Sequence, residues 1–235
     1  MSEKSFDEYA EKYDDWFLKN KEVLKSEVAL LAYFLRNPGR ALSVGCGSGL
    51  FEMLLKRDYG IVIEEGIEPA VSMAEIARKR GLNVRIGTAE RTHYGHAEFD
   101  TVVFNGSPSY IKNLKKALTE SYRALKPGGH VLMADVPKES SYALLYNLAK
   151  AVNTWNHPYF QGVMPEHPYP IEFVTEANWR TTREKIDLLE EVGFKNLEYA
   201  QTLTRHPFYS NAEKEAPVEG YDRGDYVAIW ALKPH

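Results

Sequence analysis

From Arg40 to Val136 short apolar runs alternate with helical patterns, and this alternation limits the fold more than any other feature of the chain. Segments 40–46, 61–68, 83–87, 100–105 and 130–136 read as strands. Helical patterns at 48–59, 70–80 and 113–125 separate them, with a polar loop at 90–98. Asn37-Pro38-Gly39 stops the helix before the first strand, and Lys126-Pro127-Gly128-Gly129 closes the helix before the last. Strands joined in this way make a mostly parallel sheet covered by helices on both faces. Such sheets take ligands in the crevice beyond the carboxyl ends of their strands, so the strand ends carry functional weight.

The first strand end is the most informative. Val44-Gly-Cys-Gly-Ser-Gly49 puts Gly45, Gly47 and Gly49 between a strand and a helix. Glycine there allows close backbone approach to a ligand, and the helix N-terminus adds free N–H groups. A phosphate-binding Walker loop would need Gly-Lys-Ser/Thr, which is absent. The dinucleotide fingerprint needs glycine at 50, where Leu50 stands, and a nucleophile elbow around Ser48 needs glycine at Cys46. A tight GxGxG turn remains, suited to a nucleoside with a neutral or cationic tail. Glu68, nineteen residues beyond Gly49 at the next strand end, can accept both hydroxyls of a ribose.

These residues resemble, in order, the motifs of class I S-adenosylmethionine-dependent methyltransferases: VGCGSG (44–49), GIEPAVSMAEIARKRG (66–81), GTAE (87–90), FDTVVFNGSPSYI (99–111) and ALKPGGHVLMAD (124–135). The opening FDEYAEKYDDWF is similar to the N-terminal helix of the small-molecule branch, near the ubiquinone/menaquinone-type enzymes. The resemblance covers residues 5 to about 136. It implies a Rossmann-like, doubly wound, mostly parallel seven-stranded sheet with an N-terminal helical cap and an aromatic insertion after strand 5. It also implies S-adenosylmethionine as cofactor, S-adenosylhomocysteine as product, and methyl transfer to a small-molecule N, O or C nucleophile.

By the same resemblance Gly45, Gly47 and Gly49, with Cys46 among them, pass under the methionine part of the cofactor. Glu68 holds the ribose with Pro69 beside it, and Thr88, Ala89 and Glu90 edge the adenine. Asn105 and Gly106 lie near the transferring methyl, while Tyr9 and Tyr13 fold over the cofactor or pack as core. Two positions depart from the family: the acid of its Leu-Asp-Val-Gly is Ser43 here, and the acid of its Gly-Asp-Ala-Glu is Thr88. A non-catalytic binder of the same cofactor and a nicotinamide-dependent Rossmann oxidoreductase stay open as alternatives.

A first helix begins with Ser5 as cap and carries Phe6, Tyr9, Tyr13, Trp16 and Phe17 on one face; a second runs over 21–36. Beyond Pro137 a helix at 140–153 leads into a long aromatic and Pro-rich stretch, 154–180. Stretches of that length are functional or disordered, and the aromatic content argues against disorder. A helix at 182–191 and strands at 194–203 and 225–232, separated by a polar loop, complete the chain. The expectation is one domain: a helical cap (1–37), a cofactor-binding core (40–136), a substrate lid (138–180), and a C-terminal helix and strand pair (181–235).

Three His-Pro-aromatic steps stand out, at His157, His167 and His206. Their separations do not suit a metal site, for which none is expected, and Cys46 is committed to the glycine turn. Two readings stay open: stiff lid turns with surface histidines, or a general base at His157 or His206, since imidazole titrates near neutrality. Tyr110, Trp155, Tyr159, Tyr169 and Phe208 are candidate walls for a planar or cationic acceptor. Glu166, Glu172 and Asp222 are near enough in sequence to meet a cationic group.

The net charge of −4 and scattered Lys/Arg weigh against nucleic acid. No apolar run approaches a membrane span, the acidic N-terminus lacks signal-peptide character, and the single cysteine makes cytoplasm the expected location.

Overall fold

The computed structural model describes residues 3–235, with side chains from Phe6 onward. Its strands are β1 (Ala41–Val44), β2 (Glu65–Glu68), β3 (Asn83–Ile86), β4 (Phe99–Asn105), β5 (Leu125–Asp135), β6 (Lys195–Thr202), β7 (Val218–Glu219) and β8 (Tyr226–Leu232). They form one eight-stranded sheet in the order β3-β2-β1-β4-β5-β8-β6-β7. The first five are parallel; β8 returns antiparallel against β5, and β6 lies antiparallel to β8. The expected seven strands are all present. The eighth, β7, is a two-residue pairing inside the loop before the last strand.

Helices α4 (Leu50–Tyr59), α5 (Val71–Lys79), α6 (Leu114–Ala124), α7 (Ser141–Val152) and α9 (Thr182–Val192) fall where the periodicity puts them. Two large apolar cores result, beside a small cluster of Cys46, Ala74, Ala77, Leu82 and Val84. One joins the long helix α3 (Lys21–Phe34) and α4 to Val103, Leu132 and Ala228; the other joins α6 and α9 to Val102, Val131 and Ile229. Alternate residues of β4 and β5 thus point to opposite cores, as the pleat requires.

Two stretches differ from their pattern. Lys126-Pro127-Gly128-Gly129 is a bulge inside β5 rather than a stop before it: Phe99 pairs with Leu125, and Thr101 already with His130. Gly129 makes this possible, because a Cβ there would stand 3.0 Å from the Asp100 carbonyl oxygen. The first helix is broken in two, α1 (Glu3–Glu8) and α2 (Ala10–Lys19), with Tyr9 at φ −121°, ψ 27° between them. Ser5 lies inside α1 and does not cap it; its side chain is outside the described residues. Downstream of the break Tyr13 packs edge-on against Phe17, and upstream of it Phe6 stacks on Phe173 at 4.6 Å.

The 154–180 stretch is a folded wall. Phe160 and Phe173 are fully buried, each worth about 2–3 kcal/mol of apolar transfer. It contains one short helix, α8 (Ile171–Glu176), and is tied to the N-terminal helices by backbone acceptors. Trp16 Nε1 and Asn20 Nδ2 both donate to the His167 carbonyl, at 2.8 and 3.1 Å. At its far end Arg180 donates to the carbonyls of Pro108 and Ile111. An extended stretch becomes ordered because the sheet's own loops and the cap supply its partners.

Candidate active site

Sheet register builds the site. Glu65, Leu42, Val102 and Val131 form one row across β2, β1, β4 and β5. Three residues further along stand Glu68, Gly45 and Asn105, and four further stands Asp135. The carboxyl ends of four adjacent strands therefore offer an acid, a glycine turn and an amide at one level, and a second acid one residue beyond it. Strands are about 4.8 Å apart, so Glu68 and Asp135 stand about 14 Å from each other along this edge. These residues line a cleft of about 800 Å³, part of it open to solvent.

At the β2–β1 end, Glu68 accepts from the Gly47 N–H through Oε2 and from the Ala70 N–H through Oε1, both at 2.9 Å. It is 4% exposed, and burial pushes its carboxyl up to about 7 against the lowering effect of those two N–H groups. Gly47 has φ +54°, and the nearest atom to a Cβ there would be a Tyr13 ring carbon 4.0 Å away. Its missing side chain leaves open floor. Gly45 is constrained differently: a Cβ would stand 2.6 Å from Ser107 Cβ, and Ser107 Oγ donates to the Val44 carbonyl at 2.7 Å.

The cap is pinned to this turn. Asp14 of α2 accepts from Ser48 Oγ at 2.5 Å and from Arg80 Nη2 at 2.6 Å, while Arg80 Nη1 donates to the Ser48 carbonyl. Asp7 of α1 accepts from the Ser72 N–H at the start of α5. Tyr13, Phe17 and Phe6 thereby roof the cleft.

At the β4–β5 end, Asn105 Oδ1 accepts from Tyr226 OH at 2.8 Å. Asp135 accepts from Ser109 Oγ, from the Val136 N–H and, at 3.2 Å, from Lys185 Nζ. Burial raises its carboxyl and Lys185 opposes the shift. Glu27 of α3 faces the same end of the cleft. It is 5% exposed, and burial, then the charge of Asp135, pushes its carboxyl well above the usual range. Tyr146, Tyr169 and Trp179 wall this end, and Tyr110 OH donates to Tyr169 OH at 3.2 Å.

Of the residues singled out from sequence, Tyr13, Gly45, Gly47, Glu68, Asn105, Gly106, Tyr110 and Tyr169 come together in the cleft. Others stand outside its lining. Cys46 and Gly49 lie behind the turn, Cys46 against Gly66 and Gly49 against Ala77. Pro69 follows Glu68 but is not among the lining residues. Thr88 bridges to Arg91, Ala89 joins the opposite core, and Glu90 accepts from the Asn113 N–H. Tyr9 lies under the Lys12 ammonium rather than over the cleft.

The two candidate bases are likewise elsewhere. His157 Nδ1 accepts from the Tyr159 N–H and His206 Nδ1 from the Phe208 N–H, each capping a 3-10 turn begun by its proline. Tyr159 (68% exposed) and Phe208 (45%) point outward beside them. Trp155 packs behind Tyr146 and donates to the Tyr169 carbonyl, one layer from the cleft. The acids expected near a cation are also absent from the lining: Glu172 pairs with Lys12, Asp222 accepts from Gln201, and Glu166 is exposed. Among the described residues, no group of three or more His, Cys, Asp or Glu clusters to hold a metal ion.

Trp179, one of the aromatics of the 154–180 stretch read as possible pocket walls, also lines the cleft, whereas sequence reasoning missed Glu27, Asp135, Tyr146 and Tyr226. Two had a legible signal: Glu27 is an acid immediately before the apolar run Val28–Phe34, and Asp135 ends a strand.

The model of the methyltransferase domain family matches residues 16–199, and the chain belongs to that family. It is an S-adenosylmethionine-dependent methyltransferase of class I fold. Among solved structures it is similar to a SAM-dependent methyltransferase of Thermotoga maritima described as a possible histamine N-methyltransferase. The TM-score is 0.83 at 31% identity, over 97% of this chain and 98% of that one. Among curated proteins it is 32% identical over 228 residues to an uncharacterised protein of Methanocaldococcus jannaschii, covering 97% of this chain and 98% of the relative. It is also 29% identical over 136 residues to the demethylmenaquinone methyltransferase of Thermus thermophilus, where the match spans 54% of this chain and 57% of the relative. No described helix is long and apolar enough to cross a membrane.

Proposed function

We propose that the cleft holds the cofactor at its β2–β1 end and a small-molecule acceptor at its β4–β5 end. The observation that carries this is the level row Glu68–Gly45–Asn105, with Asp135 one residue beyond it on the next strand, an open floor at Gly47 and a roof from α2. Gly45 and Gly47 let backbone approach the ligand, and Glu68 has the acceptor oxygens a ribose diol needs. Asn105 and Gly106 lie between the two ends, where the reacting atoms meet. Tyr13 covers them from above.

The bound cofactor supplies a methyl on a positively charged sulfur, which departs as a neutral thioether. The chain's own work is alignment and exclusion of water, since an acceptor and a methyl held in line gain an effective-concentration advantage. The aromatic wall and the pinned cap both serve that end. Support for a small acceptor comes from the walls: Trp16, Tyr146, Tyr169 and Trp179 put bulky aromatic faces around the acceptor end of the cleft. One similar structure is described as a possible histamine N-methyltransferase and one relative as a demethylmenaquinone methyltransferase, names that point to small-molecule acceptors.

Calorimetric titration tests the assignment. Wild type binds S-adenosylhomocysteine, Glu68→Ala binds it about ten-fold or more weakly, and unchanged affinity in that variant overturns the ribose role.

A further inference from the structure

We propose that the acceptor is a small amine, bound with its nitrogen against Glu27. The proposal rests on the methyltransferase reading above and specifies its substrate. Glu27 lies on α3, is 5% exposed, lines the cleft, and has no hydrogen-bond or ion-pair partner among the described residues. Asp135, its neighbour in charge, is fully engaged by Ser109, Val136 and Lys185. A carboxyl at such a depth costs several kcal/mol unless a donor meets it, and no protein group does so. Its oxygens face the cleft, where water or a ligand donor meets them.

The rest of the cleft says which donor. Its lining carries three carboxyls, Glu27, Glu68 and Asp135, and no Lys, Arg or His. An anionic acceptor would meet no cation there. Tyr146, Tyr169 and Trp179 add π faces, which favour a cation once it is desolvated. The hydroxyls of Tyr110 and Tyr226 are already donating, to Tyr169 and Asn105. Glu27 belongs to the acceptor end because α3 packs over β5, β6 and β8, on the other side of β1 and β4 from the β2 end where Glu68 stands.

An ammonium carries no lone pair, so one N–H proton must leave before methyl transfer. Glu27 carboxylate accepts that proton. The nitrogen lone pair then forms the N–C bond as the C–S bond breaks, its electrons staying on sulfur. A carboxyl whose affinity for protons is raised by burial suits that step better than an ordinary one.

The test uses protein saturated with S-adenosylhomocysteine, titrated with benzylamine, 2-phenylethylamine and butylamine, each beside the alcohol of the same shape. At least one amine binds about ten-fold or more tightly than its alcohol. In Glu27→Gln the preference collapses to within about two-fold, whereas Glu27→Asp keeps most of it. Both variants keep wild-type affinity for S-adenosylhomocysteine. No amine preference in wild type, or one that survives in Glu27→Gln, overturns the proposal. So does a Glu27→Gln variant that loses affinity for S-adenosylmethionine alone, since Glu27 would then serve the sulfonium. Failure of wild type to bind S-adenosylhomocysteine would instead overturn the cleft assignment beneath it.

Discussion

Ser43 Oγ donates to Glu52 Oε1 at 2.5 Å, and both residues are buried, at 1% and 7% exposure. The family's acid at position 43 is thus replaced by a hydroxyl on β1 that receives a carboxyl from α4, nine residues on. The negative group still sits beneath the glycine turn, where its charge acts on Cys46 and Glu68. Burial raises the Glu52 carboxyl, with Ser43 opposing, and Oε2 has no partner among the described residues. Ser43→Ala leaves the whole carboxyl unpaired and destabilises by about 1–3 kcal/mol. Ser43→Asp, which restores the family residue, crowds two buried carboxyls and destabilises at neutral pH, while the double variant Ser43→Asp/Glu52→Gln recovers most of that loss. Urea unfolding of all three with the Glu52→Gln single variant closes the cycle, and additive effects would disprove the exchange.

Glu68 predicts a pH dependence of cofactor affinity. Its folded carboxyl is raised to about 7 by burial, and only the ionised form offers both oxygens as acceptors. Below pH 7 the site must release a proton to bind. Affinity for S-adenosylhomocysteine therefore falls toward about ten-fold per pH unit between pH 7 and the unfolded carboxyl range, and levels off above pH 7. Stability without ligand runs oppositely: the folded state holds a proton that the unfolded state has lost, so this group's contribution falls as pH rises from about 4.5 to 7. Titrations at pH 5.5, 6.5 and 7.5 check the first statement, and Glu68→Gln flattens both profiles.

The parts of this site that the sequence made legible are those fixed by backbone. Two of the three glycines and the acid reach the cleft because parallel register leaves strand ends little choice, and Gly45, Glu68 and Asn105 stand at one level as a result. Side chains that reach the cleft from elsewhere were less readable. Glu27 comes from a helix before the first strand, and Trp179 and Tyr146 arrive from opposite ends of the lid. The His-Pro-aromatic steps were conspicuous for a local reason. Each is a turn whose histidine caps the backbone and whose proline starts a 3-10 helix, a job that needs no ligand. The break at Tyr9 was hidden because the apolar face runs through it unbroken.

That local role yields its own prediction. His157→Ala and His206→Ala each remove one turn cap that is not among the lining residues of the cleft. Stability changes stay within about 0.5 kcal/mol, and turnover within about two-fold. Steady-state rates of the two variants and their double variant check this; a loss of a hundred-fold in either would return a histidine to the chemistry.

The Asp14–Ser48–Arg80 cluster predicts that the cap and the glycine turn act as one unit. Asp14 is 9% exposed, accepts from both partners, and joins α2 to the turn and to the residue after α5. Asp14→Ala leaves the Arg80 guanidinium and the Ser48 hydroxyl without that acceptor, at about 1–3 kcal/mol. Because the unpinned turn must be ordered again on binding, affinity for S-adenosylhomocysteine falls as well, by about ten-fold for each 1.4 kcal/mol so spent. Ser48→Ala removes one of the two bonds and does less of both. Parallel melting and calorimetry on the two variants test the coupling: loss of stability with cofactor affinity intact would mean that the cap closes over the cleft without holding its floor.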